Sequence, residues 1–140
     1  MLSITLAQCG GLTEIQRDMS TGWKLTVDCR ERLLARFAPR YARTIADHVT
    51  LLGGDAGKDA DAPSAVGEAS IVGRADDDAG VEAYVVAIDG ATERPDGSRW
   101  HVTWSLEPGR GAKESNDVIA ERGWTTIDPP VPLDVTPAKW

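Results

Sequence analysis

Cysteine is scarce in this chain, and a long hydrophobic run is missing. The 140 residues include only two cysteines, Cys9 and Cys29, which are too few for a disulfide framework. No window reaches the about 20 apolar residues of a membrane-spanning helix. The N-terminus also lacks the basic stretch that precedes the apolar segment of a secretory signal. The composition therefore predicts a soluble, cytoplasmic protein that does not contact a membrane.

An excess of positive charge is missing as well. The chain carries 15 Lys and Arg against 22 Asp and Glu, which gives a net charge of -7. Such a protein repels polyanions, and phosphate neutralisation drives most binding to nucleic-acid duplexes. Double-stranded DNA is therefore not expected to be a partner of this protein. A small nucleotide, or one RNA end held in a locally basic cleft, stays compatible with the charge.

The pattern of apolar and turn-forming residues predicts a single α+β domain over residues 1–140. The expected order is strand, helix, strand, hairpin, strand, helix and tail, which favours a mainly antiparallel sheet with two main helices on one face. Residues 55–63 are expected to form a surface loop, and the proline-rich tail an edge strand or an extended wrap. The predicted strands cover residues 2–6, 23–27, 44–52, 65–74, 81–88 and 99–106. Two predicted helices cover residues 13–19 and 29–37, the second of them after an Asp28 cap. A third is capped by Ser115 or Asn116, runs to Arg122 and is closed by Gly123.

Both histidines of the chain lie in the tripeptide His-Val-Thr. The first copy is His48 to Thr50 and the second is His101 to Thr103, and each falls within a predicted strand. Chance places a threonine two residues after both histidines with a probability of roughly one in a hundred. The repetition therefore indicates a shared function.

Side chains in a strand alternate between its two faces, which predicts what each motif presents. In the first strand His48 and Thr50 share one face. The second strand has a polar face and an apolar face, and its two tryptophans are expected in the core rather than as a base-stacking platform. The polar face holds Arg99, His101, Thr103 and Ser105, and the apolar face holds Trp100, Val102, Trp104 and Leu106. Two such strands side by side would form a cleft with two imidazoles and two hydroxyls.

This set of groups suits phosphodiester cleavage without a metal. One neutral imidazole removes a proton from the attacking water, and one imidazolium protonates the departing alkoxide. The hydroxyls of Thr50, Thr103 and Ser105 can hold the non-bridging oxygens, where charge develops. Arg99 is either a phosphate clamp or a partner in a surface salt bridge. His48 and His101 are thus the expected catalytic residues, with no cofactor and no metal required.

Structural and metal-binding interpretations stay open for several of these residues. A single histidine in a strand is usually a hydrogen-bonded structural residue, although a matched pair makes that role less expected. A zinc site built from Cys9, Cys29, His48 and His101 is conceivable, but no two of them have ligand spacing. The acidic run over residues 76–78 is expected to be a solvated turn.

The paired motifs resemble those of the two-histidine phosphoesterases, which carry two His-x-Thr motifs on separate strands. The surrounding residues are similar to the cyclic phosphodiesterase domain of fungal-type tRNA ligases and to small bacterial and phage RNA-repair-like proteins. The similar residues are Pro39-Arg40-Tyr41 before Ala46-Asp47-His48-Val49-Thr50-Leu51, and Trp100-His101-Val102-Thr103 before Ser115-Asn116. The resemblance covers residues 22–132, and residues 1–21 match no part of that pattern.

The resemblance implies a bilobal fold with strands around a central cleft and helices outside. It implies acid and base roles for His48 and His101, and phosphate contacts for Thr50 and Thr103. The implied substrate is a 2′,3′-cyclic phosphate on a small nucleotide or an RNA 3′ end, opened to a 2′-phosphate, and a repair role would need a separate RNA kinase and ligase. Related members cleave 2′,5′-linked or cyclic oligonucleotide signals instead. A binding module that holds a phosphorylated ligand without cleaving it is the alternative of another class.

Overall fold

A computed structural model describes residues 20–140 of the chain. The strand predicted at residues 2–6 and the helix predicted at residues 13–19 lie outside the described residues. The described strands are β1 (Thr21–Leu25), β2 (Arg43–Thr44), β3 (His48–Leu52), β4 (Ala69–Asp76), β5 (Val81–Ile88), β6 (His101–Leu106), β7 (Thr125–Pro132) and β8 (Val135–Lys139). The described helices are α1 (Val27–Arg36), α2 (Gly54–Lys58) and α3 (Glu114–Arg122).

The strands form two antiparallel sheets, which confirms the predicted α+β class. One sheet has three strands in the order β3-β1-β8, and the other has five in the order β2-β6-β5-β4-β7. The proline-rich tail supplies β7 and β8, each at a sheet edge, as predicted, since a proline cannot donate a ladder hydrogen bond. His48 begins β3 and His101 begins β6, so each sheet carries one of the two motifs. No helix in the part of the chain described here is long and apolar enough to cross a membrane.

The main core lies between the two sheets and beneath α1. Trp23 of β1 and Leu33 of α1 belong to the same buried cluster as Trp104 of β6 and Trp100 just before that strand. The Trp104 indole is fully buried, and its N–H donates to the Phe37 carbonyl at 2.8 Å. Both tryptophans of the second motif are therefore core residues, as predicted.

Helix α3 packs on the face of the five-stranded sheet opposite to the face that α1 covers. Val118 and Ile119 of α3 form a separate buried cluster with Val81, Ala83 and Val85 of β5. The prediction of two helices on one face is therefore wrong. The sheet is covered on both faces, which explains why β5 is an almost continuous apolar run rather than an alternating one.

The strand predicted over residues 44–52 is broken in two at Ala46. Before the break β2 pairs with β6 in the five-stranded sheet, and after it β3 pairs with β1 in the three-stranded sheet. Ala46 has a φ of 45°, which turns the chain from one sheet to the other. Its N–H donates to the Thr103 carbonyl at 2.9 Å and its carbonyl accepts from Arg30 at 2.9 Å. These bonds fix the start of β3, where His48 lies.

Three smaller expectations need correction. Thr26, not Asp28, caps α1, because its hydroxyl accepts the Cys29 N–H at 3.2 Å. Part of the loop expected over residues 55–63 is the short helix α2. No side chain caps α3, which begins before the expected Ser115 or Asn116 cap but ends at Arg122 as predicted.

Candidate active site

Both His-Val-Thr motifs open into one cleft between the two sheets, with a volume of about 380 Å³. His48 and Thr50 come from β3, and His101 and Thr103 come from β6. The other lining residues come from the loops and helices around these strands. They are Ser20, Gly53, Gly54, Arg94, Ala112, Lys113, Asn116 and Trp140. The four residues that the sequence places in a common cleft do lie together.

The His48 ring is held between a carboxylate and an indole. Its Nδ1 lies 3.1 Å from an oxygen of Asp47, and that carboxylate also lies 3.7 Å from the Lys24 ammonium. The Trp140 ring packs against the imidazole with 4.4 Å between ring centroids. With Nδ1 occupied by Asp47, Nε2 is the nitrogen left to act on a ligand.

The His101 ring is oriented by the backbone instead. Its Nδ1 lies 3.0 Å from the Arg99 carbonyl, which can only accept, so Nδ1 carries the proton and Nε2 has a free lone pair. The pKa of His101 lies below its ordinary value of 6.5, mainly because burial disfavours the charged ring, and further because Arg94 and His48 add positive charge nearby. His101 is therefore a neutral imidazole at pH 7 that can accept a proton.

The Thr103 hydroxyl is fixed by α3 and the loop before it. Its oxygen lies 2.9 Å from the Ser115 hydroxyl and 3.3 Å from the Ala112 carbonyl. When Ser115 is the donor of the first bond, the Thr103 proton is free to turn from the carbonyl to a ligand oxygen. The Ser115-Asn116 pair of the resemblance thus has a local role, since Ser115 supports Thr103 and Asn116 lines the cleft.

Arg94 brings a buried positive charge to the cleft. It is only 8% exposed, and its Nη2 donates to the Leu51 carbonyl of β3 at 2.9 Å. Its guanidinium carbon lies 5.9 Å from the Trp100 ring centroid, and its Nε is buried with no partner among the described residues. Lys113 adds a second cation, and no aspartate or glutamate of residues 20–140 lines this cleft. The cleft is therefore a local basic site on an acidic protein, suited to an anionic ligand.

The structure does not bring Arg99 and Ser105 into this cleft. Arg99 donates to the Thr92 hydroxyl at 3.1 Å and lies over the Trp124 ring, beside a neighbouring groove. Ser105 is fully buried and donates to Glu82 at 2.6 Å. The pairing of β6 with β5 shifts by one residue between Thr103 and Ser105, and this irregularity turns Ser105 away from the face of Thr103. The expected alternation of faces therefore stops at the irregularity.

Sequence reasoning missed Arg94, Lys113 and Trp140. Arg94 and Lys113 lie in loops, where the alternation of strand residues predicts nothing. Trp140 lies beyond residues 22–132, the span of the resemblance, and it reaches the cleft from the end of β8. A basic residue next to Pro95 in a predicted turn was the available signal for Arg94, but it does not distinguish a cleft cation from a surface one.

The described residues do not form the zinc site that the sequence leaves open. Cys29 lies in α1 and is fully buried, its sulfur accepts the Asp134 N–H at 3.3 Å, and it does not line the cleft. No group of three or more His, Cys, Asp or Glu within residues 20–140 could hold a metal ion. Cys9 lies outside the described residues.

The fold and the cleft define a small α+β protein with a basic, two-histidine cleft between two antiparallel sheets. No protein-family model matches the chain, and no curated protein and no solved structure is significantly similar to it. The chemistry of the cleft therefore carries the functional argument.

Proposed function

We propose that the protein is a metal-independent phosphodiesterase that opens a 2′,3′-cyclic phosphate on a nucleotide or an RNA 3′ end. The observation that carries the proposal is the convergence of both His-Val-Thr motifs on one cleft that is lined by cations and by no carboxylate of the described residues. An anionic substrate is attracted to such a cleft, and two imidazoles supply both proton-transfer steps of hydrolysis.

The surroundings of the two rings support different roles for them. His101 is the base, because its lowered pKa keeps the ring neutral and its Nε2 lone pair is free. His48 is the acid, because the Asp47 carboxylate next to Nδ1 compensates the charge of an imidazolium. His101 takes a proton from water as the water oxygen bonds to phosphorus. The bond from phosphorus to the 3′ oxygen breaks, His48 protonates that oxygen, and the product is a 2′-phosphate.

The remaining groups of the cleft hold the phosphate during this step. The Thr50 and Thr103 hydroxyls donate to the non-bridging oxygens, and Arg94 neutralises the charge that develops there. In a cytoplasmic setting, an RNA-repair role of this activity would need a separate RNA kinase and ligase.

The test is turnover of 2′,3′-cyclic nucleotides by EDTA-treated protein, with the 2′- and 3′-phosphate products resolved. We expect His48→Ala and His101→Ala each to lower kcat by about 10²–10⁴-fold, the usual contribution of a positioned acid or base. Thr44→Val is the matched control, since Thr44 is exposed on β2 and does not line the cleft. Full activity in both histidine variants, or inactivation by EDTA that added metal restores, would contradict the proposal.

Two other outcomes identify the alternative functions. Turnover of only 2′,5′-linked or cyclic oligonucleotides would assign the cleft to nucleotide signals. Thermal stabilisation by a nucleotide without any product would indicate a binding module, because a ligand that binds only the folded state raises its stability.

A further inference from the structure

A second groove of about 330 Å³ adjoins the cleft. Asn116 of α3 lines both cavities, so that the groove continues the cleft along the start of β6. Gly97, Ser98 and Arg99 line the groove from the segment before β6, and Ile119, Ala120 and Trp124 line it from α3 and the segment after it. A ligand whose phosphate lies between the histidines can therefore extend into this groove.

Two lining residues of the groove, Arg99 and Trp124, form a cation–π pair. The Arg99 guanidinium carbon lies 5.7 Å from the Trp124 ring centroid, and Nη1 is held by the Thr92 hydroxyl at 3.1 Å. The Trp124 ring packs directly against the Gly73 backbone, where any Cβ would collide with the indole. Both side chains thus have contacts within the protein that hold them at the groove, and planar nucleobases stack on aromatic rings and on guanidinium planes.

The Asn116 side chain points to a ligand independently of this platform. Its Oδ1 is buried and has no hydrogen-bond partner among the described residues. Buried polar groups are nearly always paired, so an unpaired side-chain oxygen on a residue that lines both cavities suits a hydrogen-bond donor that the ligand supplies. A base amino group or a ribose hydroxyl would provide that partner.

We propose that this groove binds the nucleobase of the nucleotide whose cyclic phosphate lies between His48 and His101. The inference rests on the proposed function and names its substrate class: a nucleoside cyclic phosphate, in preference to a cyclic phosphate without a base. The Arg99 guanidinium stacks on the base, Trp124 supports the guanidinium, and Asn116 binds at the junction.

The experiment compares two substrates that share the reacting group, a nucleoside 2′,3′-cyclic phosphate and the base-free ribose 2,3-cyclic phosphate. Since stacking on such a platform contributes about 1–3 kcal/mol per base, Arg99→Ala should lower kcat/KM for the nucleotide by about 5- to 160-fold. The value for the base-free substrate should stay unchanged. Trp124→Phe should have a smaller effect of the same kind. Arg36→Ala is the control, because Arg36 makes a similar contact with the Phe37 ring but lines no part of the groove.

Equal loss on both substrates, or no loss on the nucleotide, would overturn the inference. A second readout does not need catalysis: binding of a nucleoside 2′-phosphate and of ribose 2-phosphate, each measured by calorimetry. If the wild-type protein turned over neither substrate, the proposed function would fail. The inference about the groove would then be supported if Arg99→Ala weakened the binding of the nucleoside 2′-phosphate but not that of ribose 2-phosphate. It would be overturned if Arg99→Ala bound both ligands as tightly as the wild type does.

Discussion

Replacement of Arg94 by methionine tests whether the cleft depends on its buried cation. Arg94 is 8% exposed, and the only hydrogen bond of its side chain to the described residues joins Nη2 to the Leu51 carbonyl at 2.9 Å. The same Nη2 lies 3.9 Å from the Asp96 carboxylate. Methionine keeps an unbranched side chain of similar width against Trp100 but removes the charge and every donor. The substitution therefore separates the electrostatic contribution of Arg94 from its packing.

Two magnitudes follow from these contacts. A hydrogen bond from a charged group contributes about 1.5–3 kcal/mol, so the free energy of unfolding should fall by roughly that amount. Loss of one preorganised group that stabilises the developing charge lowers kcat by about 10²–10³-fold. Arg94→Lys should recover only part of the lost stability and part of the lost kcat, since an ammonium keeps the charge but lacks the planar array of donors of a guanidinium.

The assay pairs kcat/KM on a 2′,3′-cyclic nucleotide with urea unfolding of the same preparations. Arg36→Met is the control, because Arg36 is exposed and its guanidinium lies 5.2 Å from the Phe37 ring, outside the cleft. The Arg94 variant should also show a higher pKa for His101, because a positive charge that lowers it is gone. A folded Arg94→Met protein with kcat/KM within threefold of the wild type would refute the assigned role; threefold is about 0.65 kcal/mol.

Two further predictions concern pH and the packing beneath His48. Because burial lowers the pKa of His101 below 6.5, the acid limb of kcat/KM should be centred below pH 6.5. Stability should decline earlier, from about pH 6.5 down to the lower pKa of the folded state, since the unfolded chain takes up the proton first. His101→Gln should remove that slope in unfolding measurements at several pH values, and an acid limb of kcat/KM centred above pH 6.5 would rule out His101 as the base. Gly22→Ala should destabilise the fold by about 2 kcal/mol or more, since the added Cβ collides with the Val49 carbonyl and lies 2.9 Å from the Trp140 ring. Gly111→Ala, whose Cβ meets no atom nearer than 3.9 Å, should unfold almost as the wild type does, and equal midpoints for both variants would refute the packing argument.

The sequence by itself determined the local features of this protein. Alternation and turn residues predicted β1, β5, β6 and α3 close to their positions, because each is decided by residues only a few positions apart. The repeated His-Val-Thr tripeptide identified His48, Thr50, His101 and Thr103, and the structure brings all four to one cleft.

The tertiary structure alone decided how these features combine. The break at Ala46 depends on hydrogen bonds to β6 and to Arg30, which are remote in sequence from that residue. The shift that turns Ser105 away from the cleft depends on the register between β5 and β6. Arg94 and Trp140 reach the histidines only because a loop and the last strand fold against the two sheets. Such contacts join distant parts of the chain, and a local pattern carries no information about them.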